Sequence, residues 1–211
     1  MLSRMMLGVI DEVDGHFVAT KFLALLLPTG SMYVTKQTFS RSGNVSSMSW
    51  EGVPIPFQWK SAALAYPRVW LWFLGVAWPF LTHWGENVSR VPSSAYYTSL
   101  GMFAAALLAL IPGRPSAREK NRLRALGVAT GMRLDPKRLY PATREVARGE
   151  LEDELKQASL PTTPKECAAA GALPRELVAR VYAFACYSAA CASGAEADEW
   201  RAAAAQLLPA L

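Results

Sequence analysis

Val69–Leu81 reads VWLWFLGVAWPFL, an uncharged run whose reading decides the fold. Extended back to Ala62 it makes a helix of about 30 Å at 1.5 Å per residue, the thickness of the hydrocarbon core of a bilayer. A membrane-spanning helix is therefore predicted over about Ser61 to Trp84. Pro67 is placed in its first turn, where a missing N–H costs nothing, and Pro79 is predicted to kink it. Tyr66, Trp70 and Trp84 fall near the two ends, where amphipathic rings favour the headgroup level. Trp72 and Trp78 add to an unusual density of tryptophan.

Outward from this run, a second span is predicted over about Ser93 to Pro112, with the uncharged core Leu100–Ile111. Tyr96 and Tyr97 mark one interface and Arg114 the other. Gly101, Ala105 and Ala109 recur every four residues and form a small-residue seam. Such a seam packs on the first helix near Gly75 or, alternatively, on a second copy of the chain. A hairpin buried inside a globular domain is the competing reading. It is set aside because the rest of the chain has too little apolar surface to sheath both helices.

The whole chain agrees with this emphasis. Of 211 residues 52% are apolar and 18% charged, against about 25% charged in ordinary domains. This excludes a disordered chain, and three cysteines exclude a disulfide-stapled one. The net charge of +5 conceals an asymmetry: residues 61–113 hold only Arg68, Arg90 and Glu86, residues 114–144 are strongly basic, and residues 145–211 are acidic. The positive-inside rule then puts both termini in the cytoplasm and a short loop, residues 85–92, outside. The expected localisation is the cell membrane, multi-pass. Met1–Ile10 is followed at once by Asp11, Glu12 and Asp14, so no secretory signal is read and the N-terminus is expected to be retained. The sequon-like Asn87-Val-Ser89 is read as chance.

Three regions follow: a β-rich segment over 1–60, the helical hairpin over 61–113, and a helical tail over 114–211. In the first, His16–Leu27, Met32–Phe39 and Val45–Trp50 suit a two- or three-stranded meander, with a turn at Pro28–Ser31. Val53-Pro-Ile-Pro-Phe57 must be extended, since two prolines forbid a helix and a central strand. The string Gly15-His-Phe-Val-Ala-Thr-Lys-Phe22 with Pro28-Thr-Gly-Ser-Met-Tyr-Val34 resembles a segment of bacterial two-span membrane proteins, which carry a similar series ahead of their transmembrane helices. The resemblance covers about 20 of the 211 residues. It implies a membrane setting and no activity.

In the tail, helices are predicted over Ser116–Thr130, Arg144–Gln157, from Thr163 to near Gly171, over Pro174–Ala192, and from Ser193 through Leu208. Thr163-Pro-Lys-Glu166 and Ser193-Gly-Ala-Glu196 read as capping boxes. The first of these helices is basic, and Arg114, Arg118, Lys120, Arg122 and Arg124 are candidate contacts for anionic lipid, each worth about 1 kcal/mol near such a surface. Without aromatic interleaving they do not suit nucleic acid.

Catalytic signals are thin. His16 and His83 fall on opposite sides of the predicted membrane, and His83 with Glu86 is read as interfacial. Cys167, Cys186 and Cys191 have neither redox nor zinc spacing. No phosphate loop, dinucleotide motif or nucleophile elbow is present. No catalytic residue, cofactor or metal is therefore assigned. The reading is a membrane anchor or scaffold that presents a cytoplasmic helical interaction domain, with membrane lipid and a cytoplasmic or membrane protein as partners. The alternatives are an accessory subunit of a transporter or envelope complex, held through the Gly101/Ala105/Ala109 seam, and a membrane-bound enzyme on a lipid-like substrate, suggested by the tryptophans and Arg68.

Overall fold

The computed structural model describes residues 4–23, 27–42, 45–82 and 93–211. Four strands, β1 (Arg4–Val13), β2 (His16–Leu23), β3 (Leu27–Ser42) and β4 (Val45–Ile55), form one sheet in the order β1-β2-β3-β4. Seven α-helices follow: α1 (Trp59–Thr82), α2 (Ser93–Leu108), α3 (Ala117–Thr130), α4 (Pro141–Gln157), α5 (Pro164–Ala169), α6 (Arg175–Cys191) and α7 (Gly194–Leu207). The chain divides into two compact units: residues 1–12, 17–34 and 57–114 make the first, and residues 13–16, 35–56 and 115–211 the second.

This architecture corrects the expected membrane fold. No helix among the described residues is long and apolar enough to cross a membrane. At 16 residues α2 is short of the roughly 20 a span needs. It stops at Leu108 and tightens into turns, Leu110 N–H donating to the Leu107 carbonyl and Ile111 N–H to that of Leu108, ahead of Pro112. At 24 residues α1 is long enough. However, it starts at Trp59-Lys60 and carries Tyr66, Pro67 and Arg68 inside, and these with its tryptophans dilute its apolar character. Counting uncharged residues overstated both segments. The two transmembrane helices, the mainly α membrane class and the multi-pass localisation with both termini cytoplasmic are withdrawn together. The fold is mixed α and β. Pro67 lies well inside α1, not in its first turn.

The first strand was not foreseen. Asp14-Gly15 closes a tight turn between β1 and β2, with φ +48° and +82° at its two central residues. This is the backbone that matches the twist of a hairpin. β2 and β3 are antiparallel, Val18 opposite Tyr33 and Thr20 opposite Ser31, with an irregularity after Lys21. Val18 and Ala19 point to opposite faces of β2, and both are fully buried. Pro54 is tolerated in β4 because that strand is last in the sheet order.

In the first unit, the start of α1 lies on the sheet through Ala62, Ala65 and Phe22, with Leu7, Phe57 and Tyr66 around them. Phe22 meets Tyr66 edge to face at 5.6 Å. A chain of hydroxyls runs through this contact. Gln58 N–H donates to Ser31 Oγ at 2.9 Å, Ser31 and Thr20 hydroxyls are 3.4 Å apart, Thr20 Oγ1 donates to Ser61 Oγ at 2.8 Å, and Ser61 Oγ donates to the Gly8 carbonyl at 2.6 Å. With Ser31 donating to Thr20, each hydroxyl gives one bond and accepts one, so three buried hydroxyls are satisfied without water. Gly8 is required here. Its φ is +69°, and a Cβ there would lie 2.0 Å from the Ser61 carbonyl oxygen.

In the second unit, α6 is the central helix and packs on α3, α4 and α7. Val178, Val181, Phe184 and Tyr187 are buried along it, and Phe184 meets Trp200 of α7 edge to face at 5.3 Å. Of the caps, Ser116 accepts from the Glu119 N–H at the start of α3, whereas Thr163 and Ser193 make no side-chain cap bond. Gly131, in the left-handed region, ends α3.

Candidate functional site

Within the first unit α1 and α2 lie side by side and run in opposite directions, since Arg68 reaches Ala109 while Gly75 reaches Phe103. The α2 residues turned inward are Ala95, Ser99 and Ala106, spaced four and seven residues apart as one helix face requires. Gly75 is buried under the Phe103 ring, 3.1 Å from where its Cβ would be, and Trp72 meets the same ring at a tilt of 53°, the centroids 5.2 Å apart. Of the predicted seam, Ala109 lies just past α2 and is half-buried, while Gly101 and Ala105 are exposed on the opposite side of the helix. Nothing lies within 4 Å of a Cβ placed on Gly101.

Arg68 holds the base of this pair. Its guanidinium donates to three backbone carbonyls: Nε to Ala109 at 2.8 Å, one terminal nitrogen to Val9 at 2.6 Å and the other to Pro112 at 2.5 Å. Burial, with repulsion from Arg114, lowers its pKa from the usual arginine value. The Asp11 N–H donates to the Gly113 carbonyl at 2.8 Å. Together these bonds occupy outward groups of β1, the first strand in the sheet order, and so blunt an edge that would otherwise recruit another strand.

Beyond Arg68 the outer surface of both helices is apolar. On α1, Trp72, Phe73, Val76 and Phe80 are 43–61% exposed, at the i, i+1, i+4, i+8 spacing of a single face. On α2, Tyr97 is 73%, Leu100 64%, Leu107 55% and Leu108 64% exposed, and Ile111 beyond it 62%. No Asp, Glu, Lys or Arg lies in 69–82 or 93–111. With Leu81, Tyr96 and Leu110 these side chains expose on the order of 1,000 Å², taking roughly 100 Å² for each half-exposed aromatic and somewhat less for each aliphatic side chain. An ordinary monomer's largest apolar patch is about 300–600 Å².

The cations of the basic stretch are used differently from one another. In the second unit Arg122 is half-buried, bridging Asp135 and Glu119 at 2.6 Å each. Burial opposes ionisation of Asp135, but the Arg122 guanidinium outweighs it and the carboxyl sits below its usual range. Arg124 makes a two-pronged pair with Asp14 at 2.8 and 3.1 Å, and Arg133 approaches the same carboxylate at 3.6 Å. These two arginines pin the β1–β2 turn to α3 and to the segment that follows it. Arg118 is exposed and Lys120 half-buried; Arg114, in the first unit, is exposed.

A cleft of about 230 Å³ in the second unit is lined by Arg122, Asp135, Lys137, Tyr182, Cys186 and Arg201. It is poorly suited to acid–base or nucleophilic chemistry. Burial pushes the Cys186 thiol up to about 11 and drives the Tyr182 hydroxyl higher still, while Arg201 is paired with Asp198 at 2.5 Å. Burial likewise raises Cys167 to about 11. Burial lowers the pKa of His16. The sequence reading of His83, Glu86, Arg90 and Asn87–Ser89 lies outside the described residues. No group of three or more His, Cys, Asp or Glu among the described residues could hold a metal ion.

Arg68 was legible in the sequence only as a charge beside an apolar run, because its acceptors lie 41 to 59 residues away. The hydroxyl chain gave no sequence signal either. No protein-family model, curated protein or solved structure matches the chain.

Proposed function

We propose that this protein is a docking scaffold, whose α1–α2 pair presents an apolar face to a protein partner. One observation carries the reading: an uncharged exposed surface larger than monomers normally tolerate, on a rigid support. Gly75 under Phe103 and Arg68 on three carbonyls fix that support, so little conformational freedom is lost when a partner docks. The paired cations and high-pKa thiols of the second unit favour binding over catalysis.

The test is site-specific photo-cross-linking in cells. A benzophenone amino acid at Phe73, Phe80 or Tyr97 is expected to give discrete protein adducts that Val76→Asp abolishes. The same group at Glu150 on α4 gives none. Absence of adducts at all three positions, or adducts to lipid alone, refutes the reading.

A further inference from the structure

We draw no further inference here: the strongest candidate, the uncharged outer face of the α1–α2 pair around Trp72, Phe73, Tyr97 and Leu100, belongs to the docking surface already described, and nothing in the structure shows what covers it.

Discussion

Replacing Gly8 by alanine should unfold the first unit or come close to it. The new Cβ would lie 2.0 Å from the Ser61 carbonyl oxygen, 2.8 Å from its carbon and 3.1 Å from the Ala65 Cβ. Both Ser61 atoms are backbone in the first turns of α1, so no rotamer change relieves the overlap and the helix itself must lift. Lifting breaks the 2.6 Å bond from Ser61 to the Gly8 carbonyl and draws Ser61 away from Thr20, leaving buried polar atoms without partners. Alanine in the left-handed region adds roughly 1–2 kcal/mol. Overpacking adds roughly 1–3 kcal/mol, and unsatisfied buried groups about 1–3 kcal/mol more. A loss of about 4–6 kcal/mol is a large part of a typical domain's 5–15 kcal/mol. The assay is denaturant unfolding followed by tryptophan fluorescence and circular dichroism, with two comparators. Gly30→Ala, in the same unit and with open space at its Cβ, should stay within about 0.5 kcal/mol of wild type. Gly15→Ala has φ +82° and nothing within 4 Å, so it should lose only the roughly 1–2 kcal/mol of backbone strain. If Gly8→Ala loses no more than Gly15→Ala, α1 does not sit against Gly8 and the account of the first unit fails.

Three further outcomes are expected. Arg68→Lys should destabilise the first unit by about 1–3 kcal/mol, because an ammonium lacks the planar fork that serves three carbonyls at once; an unchanged denaturation midpoint would mean that water replaces those bonds. Asp135→Asn should lower stability at neutral pH and flatten its acid-side decline. The folded carboxyl ionises below its usual value, so its contribution is complete above the ordinary carboxylate range and is lost as pH falls through the depressed value; parallel curves for the two proteins between pH 7 and 2.5 would refute this. Cys167 and Cys186, with thiols near 11, should react with a disulfide reagent at pH 7.5 at least about 100-fold more slowly than an ordinary thiol. Peptide mapping that finds either labelled promptly in the native protein would contradict the burial of Cys167 and the partial burial of Cys186.

The helices were largely legible and their setting was not. Charge-free runs at 69–81 and 100–111 do mark α1 and α2, and the basic helix from Ser116 to Thr130 differs from α3 by one residue. The error lay in treating absence of charge as a span. Tyr66, Pro67 and Arg68 interrupt the apolar run of α1, and the turns before Pro112 shorten α2. β1 was missed although Asp14-Gly15 between mixed apolar segments is a hairpin signal. The acidic residues around it were read only as the end of an apolar start. The site shows the same limit. Gly75 was named for close packing and lies under Phe103, a helix-to-helix relation that a small residue in an apolar run suggests. Arg68 and Gly8 act through partners more than forty residues distant, and one sequence carries no signal for such contacts.

The two compact units interleave along the chain, which crosses from one to the other five times. Neither can therefore be inherited, excised or transplanted by a single cut. Ending the chain at residue 114 would remove the helices of the second unit but leave residues 13–16 and 35–56 behind without their companions, and it would strip Asp14 of Arg124 and Arg133. Recombination between relatives would face the same obstacle, since a lone crossover anywhere between residues 13 and 114 mixes ancestries inside at least one unit.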